Sequence, residues 1–187
     1  MRGRSARRPV QRLVAALLLV ALLPTLLLLA AAIVLDSPGS PVFRQRRLGL
    51  HGREFTVYKL RSMCRGSVHD GRFKCPADDR ITRVGRFIRG SSLDEVPQLW
   101  NVVRGEMALV GPRPLLAADT GQSAAYRRRL EVLPGMTGLW QVSGRCSLDV
   151  EVALALDVDY VDRCSTRLDL FILLRTPTAV LSRRGAY

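Results

Sequence analysis

The sequence predicts an α+β fold, mainly helical with one β-hairpin, in which an N-terminal membrane helix precedes a single domain. Three observations predict it. Residues 13–35 are 23 consecutive residues without a charge. Phe55, Val57 and Lys59 alternate with Thr56, Tyr58 and Leu60, a period of two in a stretch rich in β-formers. From Asp79 onward, apolar residues recur at helical spacing between short turn signals.

The first element is the apolar run Leu13 to Leu35. As a straight helix it would measure about 34 Å, enough to cross a hydrocarbon core. Residues 1–12 form a basic flank with Arg2, Arg4, Arg7, Arg8 and Arg12; Arg44, Arg46 and Arg47 follow the run. Arginines at both ends pull both flanks to one side of a bilayer. Pro24 sits mid-run and removes an amide donor, which predicts a kink. A bent helix that enters and leaves on one face fits these facts, and so does a kinked span. A secretory signal, with Ala30-Ala31-Ala32 as small residues near a cleavage site, is a third reading.

Val42 to Met63 then reads as the hairpin, with Gly49-Leu50-His51-Gly52 as its turn. Residues 64–78 read as a polar loop. From Asp79 a helix is expected, with Ile81, Val84 and Ile88 facing a core and Arg80, Arg83, Arg86 and Arg89 forming a broad basic flank. Leu99, Trp100, Val102 and Val103 suggest a second helix. Val110-Gly111-Pro112-Arg113-Pro114 is a rigid loop that holds Arg113 between two prolines. Pro134-Gly135 and Ser143-Gly144 mark turns. Leu148 to Val161 reads as a helix, and Leu168 to Leu174 as an apolar stretch before Pro177, either interfacial or packed in a core.

The net charge is +13, and 27 of the 29 basic residues are Arg; the others are Lys59 and Lys74. Removing the five Arg of residues 1–35 leaves 24 basic and 16 acidic residues, +8 for the body. Such a body favours phosphates, anionic headgroups or nucleic acid. The few aromatics are not interleaved with the basic runs, so a nucleic-acid stacking surface is not expected. Cys64, Cys75, Cys146 and Cys164 show no C-x-x-C spacing; Cys64, His69 and Cys75 do not complete a zinc set, and reduced thiols are the preferred reading.

Asp94 and Glu95 admit two readings. Ser92-x-x-Glu95 matches a capping box, and acids in a first turn complement the helix dipole. Alternatively, a carboxylate attacks phosphorus as a covalent nucleophile, provided cations let an anion approach an anionic phosphate. Mg²⁺ suits such a site, since one or two carboxylates plus substrate phosphates suffice to hold it. Asp94, Glu95, Arg89 and Arg113 supply the set if the fold gathers them.

From about Leu13 to Leu174 the chain resembles the bacterial sugar transferases, the monotopic polyprenyl-phosphate phosphoglycosyltransferases. The resemblance rests on ordered motifs: Phe43-Arg44-Gln45, Gly49-x-x-Gly52, Phe55-x-x-Tyr58-Lys59-x-Arg61-Ser62-Met63, Asp79-Arg80-Ile81-Thr82-Arg83-Val84-Gly85, Leu93-Asp94-Glu95-x-Pro97-Gln98-Leu99-Trp100-Asn101-Val102, Val110-Gly111-Pro112-Arg113-Pro114, and Pro134-Gly135-x-Thr137-Gly138-x-x-Gln141-Val142-x-Gly144-Arg145. It departs at Val14, where the family often has an acid, at Leu23 before Pro24, where Ser is common, and at Ala108 and Ser143, often Ser and Asn there.

The resemblance implies transfer of a phosphosugar from a UDP-sugar to undecaprenyl phosphate with release of UMP, an initiating step of surface glycan assembly. It implies Asp94 as the nucleophile of a covalent phosphosugar intermediate and Glu95 as the Mg²⁺ ligand. Arg89, Arg113, Lys59 and Arg145 become the candidates for holding phosphates. It further implies that residues 13–35 form a re-entrant helix broken at Pro24. Residues 36–187 then form one catalytic domain at the cytoplasmic face of the bacterial inner membrane, a small, catalytic-domain-only form. Other glycan-assembly enzymes are candidate partners. A membrane-anchored basic scaffold, with Asp94 and Glu95 merely capping a helix, is the competing reading.

Overall fold

The computed structural model describes residues 2–64, 80–116, 123–144 and 147–182, with side chains from residue 8 onward. The loop expected over 64–78 therefore lies, apart from Cys64, outside the described residues, as do His69, Cys75, Asp79 and Arg145.

The N-terminal helix α1 is longer than expected, Arg2–Asp36, and runs through Pro9 and Pro24. The break expected at Pro24 is absent, and the basic flank is part of the same helix. A proline forfeits its own amide bond, and packing offsets that loss here. Ala15, Leu19 and Leu22 pack with Val57, Leu99, Val102 and Met107; Leu26, Leu29 and Ile33 pack with Leu60, Val84 and Ile88. These six residues recur at alternating steps of four and three, so one stripe of α1 faces the body on both sides of Pro24. Both ends are tied down. Gln11 accepts a hydrogen bond from the Leu109 amide at 3.0 Å, and Asp36 accepts one from the Val84 amide at 2.9 Å. The buried Arg61 guanidinium donates to the carbonyls of Ser37 at 2.5 Å and Pro38 at 2.7 Å. It thereby holds the chain as it leaves the helix. Outside that stripe, Leu13, Leu17, Leu23, Leu27 and Leu28 expose hydrocarbon.

The hairpin forms as its alternation predicts. β1 (Val42–Leu48) and β2 (Glu54–Leu60) pair antiparallel with Val42 opposite Leu60 and Leu48 opposite Glu54. Their connection is a 3-10 turn, Leu50–Gly52, in which His51 and Gly52 adopt φ of 57° and 75°. Helix α2 (Arg83–Gly90) starts later than Asp79, because Thr82 caps it by accepting from the Gly85 amide at 2.9 Å. Ile81 is buried for a different reason than helical spacing: it forms a β-bridge with Met63.

A 3-10 helix, Leu93–Gln98, leads into α3 (Leu99–Arg104). Two short strands follow that the sequence did not reveal, β3 (Ala108–Val110) and β4 (Gly135–Thr137), paired parallel. Gly135 begins that strand rather than a turn. Its backbone lies against that of Gly111, where a side chain would not fit. α4 (Ala124–Arg129) and α5 (Leu139–Ser143) flank β4. α6 (Val150–Arg163) matches the expected helix, and α7 (Thr166–Leu181) continues through Pro177, past the expected stop. Val110, Tyr160 and Ile172 form a third cluster beneath β3.

Candidate active site

Ser92 sits at the junction of α2 and the 3-10 helix with φ 56° and ψ 17°, a left-handed conformation that is uncommon for a residue with a Cβ. Its side chain makes no cap hydrogen bond. The capping box expected from Ser92-x-x-Glu95 is therefore not formed. The Ser92 amide donates instead to the Arg89 carbonyl, and Glu95 is engaged elsewhere.

The Glu95 carboxylate binds two cations through a single oxygen. Lys59 Nζ on β2 and Arg113 Nη2 in the Pro112–Pro114 loop both lie 2.7 Å from Oε1. No described residue donates a hydrogen bond to its Oε2. Burial opposes the charge on Glu95, but Arg113 and Lys59 more than offset that and hold its carboxyl well below the usual carboxylate range. Asp94, half-buried beside it, makes no hydrogen bond or ion pair with any described residue. Burial pushes its carboxyl up to about 6, and the Glu95 charge adds to the shift; Lys59, Arg113 and Arg89 oppose it. Adjacent carboxylates are thus separated by environment: one is neutralised by fixed cations, the other is left open with three cations around it.

Each element has a local reason for its place. Asn101, fully buried on α3, donates to the Thr56 carbonyl at 2.6 Å and accepts from the Tyr58 amide at 3.3 Å. It clamps the strand residues next to Lys59. Arg89 occupies the last turn of α2, six residues before Glu95. Arg113 hangs from a loop whose two prolines restrict it.

The fold thus brings together four of the sequence-predicted cations and acids around Asp94, namely Lys59, Arg89, Glu95 and Arg113. Arg145 lies outside the described residues. Sequence reasoning missed Asn101, Arg129 and Asp157. Arg129 is 6% exposed and pairs at 2.5 Å with Asp157, 1% exposed, on α6. Burial pushes the Asp157 carboxyl up to about 6 against the pull of Arg129. Arg129 belongs to a run of three arginines, Arg127–Arg129, and nothing in the run marks which one turns inward. Among the described residues no cluster of three or more His, Cys, Asp or Glu side chains is placed to hold a metal ion. The neighbouring Asp94 and Glu95, with Glu95 Oε2 open, suit a cation that takes its remaining ligands from substrate phosphates and water.

A family model described as bacterial sugar transferase matches residues 2–183. The UDP-glucose:undecaprenyl-phosphate glucose-1-phosphate transferase of Caulobacter vibrioides is 47% identical, over 97% of this chain and 72% of its own length. The sugar transferase EpsL of Bacillus subtilis is 44% identical, over 92% of this chain and 86% of its own. The UDP-galactose-lipid carrier transferase of Erwinia amylovora is 43% identical over 94% of this chain, which spans only 40% of that longer protein. With nearly its whole length matched, the chain belongs to the bacterial sugar transferase family.

Proposed function

We propose that this protein transfers a phosphosugar from a UDP-sugar to undecaprenyl phosphate, releasing UMP, in an initiating step of surface polysaccharide assembly. The observation that carries the reading is the Asp94 carboxylate, without an ion pair among the described residues and set among Lys59, Arg89 and Arg113, while its neighbour Glu95 is doubly ion-paired. The names of the relatives support the same donor and acceptor.

In the first half-reaction an Asp94 oxygen attacks the β-phosphorus of the nucleotide sugar. The bond from that phosphorus to the bridging oxygen breaks, and UMP leaves with the electron pair. In the second, an oxygen of the lipid phosphate attacks the same phosphorus. The phosphorus–Asp94 bond breaks, which frees the carboxylate and gives the polyprenyl diphosphate sugar. Lys59, Arg89 and Arg113 offset the charge of the phosphates as they approach the carboxylate. Glu95 would hold Mg²⁺, which when bound supplies further charge neutralisation at the diphosphate.

The anchor is α1. Its inner stripe packs on the charged body along its whole length, so a conventional span would carry that body into the hydrocarbon. The unbroken helix would instead lie along one face of the membrane with its exposed leucines in the hydrocarbon, a monotopic arrangement, and the site would sit at the cytoplasmic interface where donor and lipid meet.

The test is UMP release in nanodiscs with Mg²⁺, undecaprenyl phosphate and a panel of UDP-sugars, for wild type and Asp94→Asn. Lipid-dependent UMP from wild type alone is the expected result. Equal release by both proteins overturns the Asp94 mechanism.

A further inference from the structure

The loop that carries Arg113 cannot hold itself. Pro112 and Pro114 have no amide hydrogen, so the loop's carbonyls must find donors elsewhere. Four successive carbonyls do. Pro112 O accepts from the Gly135 amide at 2.8 Å and Leu115 O from the Leu48 amide at 3.0 Å. Pro114 O accepts from Arg47 Nη1 at 3.2 Å. The carbonyl of Arg113 itself accepts from Arg129 Nη2 at 2.8 Å.

Of these four donors, Arg129 alone is both charged and more than nine-tenths buried, and its counterion Asp157 is buried more deeply still. A buried ion pair is a poor way to stabilise a fold, since apolar residues of similar volume do as well or better. This pair is also incompletely satisfied: Arg129 Nε and both Asp157 carboxylate oxygens have no hydrogen-bond partner among the described residues, Oδ2 meeting Arg129 only as an ion-pair contact. What the pair does achieve is a rigid link from α6 through α4 to the backbone of the residue that binds Glu95.

We infer that Arg129 and Asp157 are positioning residues: Asp157 on α6 orients Arg129, Arg129 fixes the Arg113 carbonyl, and the Arg113 guanidinium is thereby aimed at Glu95 and the substrate diphosphate. The catalytic half of this inference rests on the phosphosugar-transfer reading above; the structural half does not.

The experiment is a double-mutant cycle. UMP release is measured for wild type, R129M/D157L, R113A and the triple variant. In the wild-type background the R129M/D157L pair lowers kcat/KM about ten- to a hundredfold, the scale of a misplaced charged group. In the R113A background it adds less than about twofold, because the effect travels through Arg113. Full activity in R129M/D157L, or an equal loss in both backgrounds, overturns the inference. A second readout needs no turnover: ¹³C-labelled glutamate reports the titration of Glu95 by NMR. In R129M/D157L that titration moves up towards the ordinary carboxylate range; an unmoved titration overturns the inference whatever the activity. If no protein releases UMP yet the Glu95 titration moves, the transfer reading falls and the positioning role stands. Should R129M/D157L fail to fold, R129K, which keeps the charge but not the forked geometry, carries both readouts.

Discussion

At the scale of single residues, Asp94 and Glu95 show how one dipeptide holds two different carboxyl groups. In the proposed mechanism Asp94 must be ionised to attack, and burial raises it to about 6. The logarithm of kcat/KM is therefore expected to fall with unit slope as pH drops below about 6, measured as a pH–rate profile of UMP release. The same shift acts on stability. A carboxyl raised above its unfolded value penalises the folded state where it is charged. The penalty is absent below about pH 4, grows between 4 and 6, and is full above 6. D94N should thus melt higher than wild type at pH 8, by an amount of order 1–3 kcal/mol, and lose that advantage near pH 4. Glu95→Gln should act in the opposite sense on the neighbour. Removing the adjacent negative charge moves the acid limb of any residual activity to lower pH, while the loss of the Lys59 and Arg113 partner lowers kcat by roughly a hundredfold. An acid limb that stays near 6 in E95Q would show that the two carboxyls are not electrostatically linked.

At the scale of elements, α2 and the 3-10 helix after it decide where Arg89 and Asp94 meet. Gly85, buried in the first turn of α2, lies against the backbone of Ser62, and a methyl group there would overlap the Ser62 carbonyl. That neighbour is main chain and cannot swing aside. Gly85→Ala is expected to destabilise by about 1–3 kcal/mol or more, by urea denaturation, and to lower activity by shifting Arg89. Gly90, at the other end of the same helix, has open space at its Cβ position and serves as the control: Gly90→Ala should leave stability within about 0.5 kcal/mol. The left-handed Ser92 then turns the chain so that Glu95 faces Lys59 instead of its own helix start. Element geometry, more than propensity, sets the electrostatics of the pair.

At the scale of the whole molecule, α1 is part of the core and, in the proposed arrangement, also the anchor. Its stripe from Ala15 to Ile33 supplies the inner clusters, and its opposite side exposes leucines. Single cysteines introduced for Arg8 and Ser40, near the two ends of the helix, are expected to react with an impermeant maleimide from the same side of the membrane. Reaction from opposite sides would establish a span. What the sequence by itself determined are the features encoded within a few residues. The 23-residue uncharged run, the alternation over residues 55–60, and the candidate acids and cations were legible because such patterns need no distant partner. The family motifs added the chemistry. What only the tertiary structure decided are the convergences. Lys59, Arg89, Glu95 and Arg113 meet across 54 residues of chain, and Arg129 turns inward from a run of three arginines to hold a proline-bound loop. α1 stays helical through Pro24 because a body packs on both sides of it, and Ser92 abandons the capping box because Glu95 finds two cations. Each of these outcomes compares a local preference with a long-range contact. Such contacts exist only once the chain has closed on itself, so local pattern carries no record of them.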